Sequence, residues 1–284
     1  MSSDMLRHPS EIAAPKLIKK LADIYITKVV ATAEADYSLT TRQVALWKSQ
    51  HGEHTSDWLR AVPISVFGQT MNGRTYRSVK SYQLGIPMFP VSRSCSACSR
   101  VFHDDVFGDH AVSCSGTVGV KHRHNLVRDT LLDIYFQSRI SAAKEVDVGL
   151  IDGHDKPFRP ADLLLYSWDR GRDVYVDLTG SSPLTQSAMA DYALRRVVID
   201  AVRRKCAKYQ DLCEERGYGF LPFSFSLLGE LETGAVALLK RIQKISVSED
   251  AGRRAAAHIF SRIGFVIVKG VGAQIVSRLP TKFL

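Results

Sequence analysis

The stretch Arg159-Pro160-Ala161-Asp162-Leu163-Leu164-Leu165-Tyr166-Ser167-Trp168-Asp169-Arg170-Gly171-Arg172-Asp173-Val174-Tyr175-Val176-Asp177-Leu178-Thr179 decides how the chain is read. Residues 161–168 and 173–179 are apolar, strand-like runs, and Asp169-Arg170-Gly171-Arg172 between them is a polar break containing glycine. Two such runs around a tight turn predict a β-hairpin. A turn on Asp169-Arg170 sets position 162 opposite 177. A turn on Arg170-Gly171 sets 177 opposite 164, which shares a strand face with 162. Both registers bring the two aspartates to one side, and only a three-residue turn without a bulge would separate them. Asp177 also interrupts an apolar run, where an ionised carboxylate is costly unless a metal or donor offsets it. The plainer alternative is a pair of strand-end aspartates in solvent or capping turns.

Outward from the hairpin, residues 145–150 alternate like a strand, and 122–139 carry an apolar stripe (Leu126, Leu131, Ile134, Tyr135) at helical spacing. Downstream, 184–215 reads as one long helix, 220–227 as a strand, and 233–245 and 249–263 as helices before an apolar, glycine-containing end. Residues 1–60 read as helical (Leu17, Ile18, Leu21, Ile24, Tyr25), and 63–95 as loops around one helix at 76–84. A helix, a hairpin, a helix and a further strand make an α/β (α+β) core.

The 284 residues carry a net charge of +9, with 45% hydrophobic and 24% charged residues, as in an ordinary soluble protein with a sizeable core. The best apolar stretch, 263–276, is broken by Lys269 and three glycines, so no membrane span is expected. The first residues lack the apolar core of a signal peptide, and the expectation is an intracellular protein. The basic balance favours a polyanionic partner. Residues 240–284 hold nine Lys and Arg against Glu249 and Asp250, a tail that either lies on phosphates or is a solvated helix face.

Five cysteines are an odd set without a secretory signal, and their spacing points to metal rather than disulfides. In Cys95-x2-Cys98-x11-His110-x3-Cys114, the first two form a knuckle and the last two close a tetrahedron from a following turn. Zinc suits that sulfur and nitrogen set and would help fold a loop-rich segment. His103 competes as fourth ligand, with His122 and His124 behind it; the alternative is buried free thiols beside an unrelated histidine.

These segments together resemble a known set. After the CCHC knuckle come Gly108-Asp109-His110-Ala111-Val112-Ser113-Cys114, then Arg123-His124-Asn125 opening a helix, and Lys144-Glu145-Val146. An Arg-Pro-Ala-Asp, a second Asp at 177 and Lys205-x2-Lys208-Tyr209 follow. Over residues 93–230 this is similar to the restriction-like endonuclease at the C-terminus of site-specific non-LTR retrotransposon polyproteins. Asp57-Trp58-Leu59-Arg60-Ala61-Val62-Pro63 and Tyr82-Gln83-Leu84-Gly85-Ile86-Pro87 also look like the linker after the reverse transcriptase in such polyproteins. No polymerase signature is present, so the chain looks like the C-terminal piece of a longer element, or a gene derived from one. The resemblance divides it into a linker-like helical region (1–92), a zinc knuckle (93–120), an endonuclease core (121–232) and a basic helical end (233–284).

The resemblance implies a PD-(D/E)xK fold and a metal-dependent endonuclease that nicks double-stranded DNA. RNA is the second candidate partner, and a nuclear location is implied. Asp162 and Asp177 are then the principal Mg2+ or Mn2+ ligands, and Glu145 a secondary ligand. Two departures stand out: Ala161 separates Pro160 from Asp162, and Thr179 occupies the usual lysine position. Related sequences place the lysine on the following helix, so Lys205 is the choice, with Lys208 one turn away. The competing functions are a nucleic-acid-binding relic that no longer cuts and a zinc-stabilised scaffold.

Overall fold

The computed structural model describes residues 14–90, 94–101, 105–116, 118–144, 161–185, 189, 192–248 and 258–279. The chain divides into two compact units, Met1–Val44 and Ala45–Leu284. In the first lies α1 (Ala14–Asp36), followed by the start of α2 (Thr41–Gln50). Thr40 and Gln43 open α2 as a capping box: the Thr40 N–H donates to Gln43 Oε1 at 2.9 Å, and the Gln43 N–H donates to Thr40 Oγ1 at 3.3 Å.

The second unit continues with α3 (Gly73–Leu84), α4 (Asp109–Ser113), α5 (Val120–Gln137), β1 (Ala142–Lys144), β2 (Leu163–Asp169), β3 (Arg172–Ser181), α6 (Arg196–Glu214), β4 (Gly219–Ser226), α7 (Thr233–Ser248) and α8 (Ile259–Val276). The strands form one mixed sheet in the order β1-β2-β3-β4, antiparallel except for the parallel β3–β4 pair on either side of the α6 crossover. The architecture is a mixed α/β one with a small sheet, compatible with α+β.

The hairpin turns on Arg170-Gly171, whose φ values of 54° and 85° suit a two-residue turn that follows the strand twist. Asp169 pairs with Arg172, but beyond the turn Leu163 pairs with Val176. Between Leu165 and Asp169 the register slips by two residues, with Ser167 at φ 51° and its N–H bonded to Asp173 Oδ1 at 2.8 Å. A slip of two preserves the face of every side chain. The irregularity therefore carries position 162 alongside 177.

One sheet face supplies Leu163, Leu165, Val174, Val176, Leu178, Phe223 and Phe225 to the main core, where α5, α7 and α8 meet it. The other face presents Leu164 and Tyr175, packed with Cys213 and Phe220 beneath α6. The core clusters draw on residues from 45 to 279, so the knuckle, the sheet and the basic end share interior contacts.

Several elements differ from expectation. The long helix starts at Arg196 rather than near 184, after Arg195 at φ 63°. The described strand before the hairpin is Ala142–Lys144, and the expected strand at 145–150 lies outside the described residues. Of the helix expected at 249–263, residues 249–257 lie outside the described residues; α8 begins at Ile259 and runs on through the apolar end despite its glycines. Tertiary packing overrides propensity here, because those glycines let neighbours approach. A Cβ on Gly270 would lie 2.7 Å from Arg123 Cγ, and one on Gly272 would lie 2.6 Å from Thr75 Cγ2. Among the described residues α8 is long and apolar enough to cross a membrane, yet 83% of it is buried inside the protein.

Several cations of the 240–284 tail are held by partners within the protein. Arg262 pairs with Asp133, Lys269 donates to Gly68 O at 2.8 Å, and Arg278 donates to Val118 O at 2.8 Å. On α7, Lys240 lies 3.4 Å from Glu53, and Arg241 stacks 4.0 Å from the Trp168 ring centre. α8 is thus a core helix whose cations Arg262 and Lys269 are engaged by the protein, while residues 249–257 and 280–284 of the tail lie outside the described residues.

Candidate functional site

Two groups of chemistry-bearing side chains stand out. The first is at the knuckle. Cys95 N–H donates to Arg100 O at 2.7 Å and Ser99 N–H to Cys95 O at 2.8 Å, a tight turn that carries Cys95 and Cys98. Opposite, Asp105 accepts the N–H groups of Gly108, Asp109 and His110 at 2.8, 2.9 and 2.6 Å, fixing the start of α4. Gly108, at φ 97°, has Phe89 where a Cβ would point, 2.7 Å away. The short helix then projects His110, and Cys114 follows it.

The ligand atoms of Cys95, Cys98, His110 and Cys114 all lie within 4.8 Å of one another, with Cys95 Sγ 4.0 Å from Cys114 Sγ and Cys98 Sγ 3.2 Å from His110 Nε2. Sulfurs bound to one tetrahedral zinc at about 2.3 Å each would lie nearly that far apart. The four residues can thus hold a metal such as zinc. Burial works to raise the Cys114 pKa, but the Gly116 N–H and the Arg278 guanidinium prevail and hold it at about 7. Burial lowers the His110 pKa, favouring the neutral ring that a metal needs. For Cys98, the Arg100 backbone bond favours the thiolate but is outweighed by desolvation and the neighbouring sulfurs, so its pKa is raised. Of the competing ligands, His103 lies outside the described residues, and His124 bonds to a carboxylate elsewhere.

The second group lies on the α6-covered face of the sheet. Asp162 ends the ladder: its N–H donates to Val176 O at 3.1 Å, and its Oδ2 accepts the Leu178 N–H at 2.8 Å. Asp177 stands beside it on β3, only 7% exposed. Lys205 comes from α6, in the row Ala201-Lys205-Tyr209-Cys213 that faces the sheet, and its Nζ lies 2.8 Å from Asp177 Oδ2. That oxygen has no other hydrogen-bonding partner among the described residues. Lys205 and Lys208 both approach the Tyr209 ring, at 5.5 and 4.7 Å from its centre. Lys208 is exposed; its hydrogen bond with Tyr209 raises its pKa, and the charge on Asp177 adds a smaller rise. Glu145 lies outside the described residues.

Burial pushes the Asp177 carboxyl up from the usual carboxylate range, Lys205 opposes this, and the charge on Asp162 adds to the rise. Two carboxylates share a face, one of them nearly buried, and the Lys205 ammonium stands against the buried one.

The group has a fourth member that the sequence reading placed elsewhere. His124 Nε2, from the N-terminal part of α5, is 3.0 Å from Asp162 Oδ2. That hydrogen bond raises the His124 pKa against the opposing effect of burial. From sequence, His124 reads as part of a helix start and as a weak rival zinc ligand, because helical periodicity cannot show which strand end a helix terminus overlies.

No protein-family model matches the chain, and no curated protein matches it.

Proposed function

We propose that the chain is a metal-dependent endonuclease that nicks double-stranded DNA, built on a PD-(D/E)xK core and derived from a non-LTR retrotransposon. The observation that carries this reading is the nearly buried Asp177, sharing a sheet face with Asp162 and paired at 2.8 Å with Lys205. A carboxylate so enclosed is costly unless charge is brought to it, and a divalent cation would add to what Lys205 brings. The order α5-β1-β2-β3-α6-β4 is compatible with the proposed core.

In this reading Asp162 and Asp177 hold Mg2+ or Mn2+, with Glu145 in support. When bound, the cation polarises the scissile phosphate and acidifies a water. Lys205 faces the phosphate and stabilises charge that develops on its oxygens. The water oxygen adds to phosphorus, one phosphoester bond breaks, and the departing oxygen takes up a proton. The Cys95-Cys98-His110-Cys114 site takes zinc and has a structural role, since all four positions are filled by protein. The net charge of +9 suits a DNA partner, and such a target places the work in the nucleus.

The test compares binding with cutting. Asp162→Asn and Asp177→Asn should each abolish cleavage of a linear duplex while keeping its gel-shift affinity. Wild-type protein that binds DNA but cuts it with no divalent cation would favour a non-cutting relic.

A further inference from the structure

Asp162 Oδ2 is saturated from two sides. The Leu178 N–H reaches it at 2.8 Å from β3, and His124 Nε2 reaches it at 3.0 Å from α5. No described residue bonds Oδ1. Among the described residues the carboxylate is therefore held by one oxygen and not by the other, and the torsion that would exchange them is opposed by two donors.

The helix that presents His124 is itself anchored. Arg123, one residue before it, is 3% exposed, and its Nη1 donates to Val112 O at 3.2 Å and bonds Gln274 Oε1. Gln274 Nε2 donates to the same carbonyl at 3.2 Å, and Gly270 leaves space for the Arg123 stem. His124 thus projects from a backbone position fixed by a buried polar network joining α4, α5 and α8. A donor on so rigid a support defines where its acceptor lies.

The His124 and Asp162 side chains are 25% and 22% exposed, and an ion pair with that much water around it contributes little to stability. Its consequence falls on the geometry of Asp162. We infer that His124 is a positioning residue that fixes the Asp162 carboxylate so that Oδ1 faces the divalent cation. This rests on the endonuclease reading above and adds a residue to it. Such outer partners of a ligating carboxylate typically change metal affinity by about 10–100-fold when removed.

The experiment is a Mn2+ titration of the full chain with zinc already bound, followed by electron paramagnetic resonance of the free ion. Wild type, His124→Ala and His124→Gln are compared, since Gln can place an amide N–H near the position of Nε2. The alanine variant should bind Mn2+ about 10–100-fold more weakly, with a melting midpoint within about 3 °C of wild type, as expected for an exposed pair. The glutamine variant should recover most of the affinity. In cleavage, the alanine variant should need correspondingly more Mn2+ yet retain most of its rate at saturation. Unchanged Mn2+ affinity in His124→Ala overturns the assignment alone, as does a glutamine variant as weak as the alanine one. Wild-type protein that takes up no Mn2+ overturns the endonuclease reading and this assignment with it.

Discussion

Replacing Asp177 with Asn should make the protein more stable without added divalent cation, and less stable than wild type with it. The carboxylate is 7% exposed, and burial raises its pKa more than Lys205 lowers it. At neutral pH the ionised form is thus held at a free-energy cost relative to the unfolded chain. The amide removes that charge and keeps the shape. Lys205 loses its partner, but its side chain is 30% exposed, so that loss is about 1 kcal/mol or less. The net gain should be on the order of 1 kcal/mol, or about 2–4 °C in melting midpoint for a unit of this size. Mg2+ at 100 times its Kd should stabilise wild type by about 2.7 kcal/mol and the variant hardly at all. The order of midpoints should therefore reverse on adding Mg2+.

The pH dependence has a definite sign. Native Asp177 keeps its proton to higher pH than the unfolded chain, so its contribution to stability is complete below about pH 3.9 and lost as pH rises through the native value. The advantage of the variant over wild type should grow across that window and then level off. Scanning calorimetry in divalent-depleted buffer with zinc retained, and without a chelator that would strip it, measures both effects. A variant that melts several degrees below wild type without Mg2+, or gains as much from it, refutes the reasoning.

The knuckle should carry about one zinc per chain by elemental analysis, and Cys98→Ser should lower both zinc content and stability, with full retention placing the metal elsewhere. Gly272→Ala should destabilise by up to about 2 kcal/mol in urea unfolding, because overpacking against Thr75 and Val79, about 1–3 kcal/mol, exceeds the roughly 1 kcal/mol that alanine gains in a helix. Lys205→Ala should slow cutting by about 100-fold or more at saturating metal, as for loss of one charge-stabilising donor. Lys208→Ala, on an exposed side chain, should change it only slightly.

The hairpin was largely readable, because both two-residue turns put residues 162 and 177 on one face. The register slip was not, since nothing in Tyr166-Ser167 marks a backbone irregularity; it depends on Ser167 N–H meeting Asp173 across the strand. Cysteine spacing named four residues whose ligand atoms do converge, because a knuckle and a following short helix are local structures. The glycines in the last helix read as breakers because their reason is remote: Arg123 and Thr75 need the space a side chain would fill. His124 was hidden for a similar reason, since its partner is 38 residues away.

Conversion of supercoiled plasmid to the open-circular form tests the central claim most directly. Zinc-loaded wild type with Mg2+ or Mn2+ should nick the plasmid, and Asp162→Ala prepared in parallel should not. Nicking that persists in Asp162→Ala, or wild type that leaves the plasmid supercoiled with every divalent cation, would contradict the account.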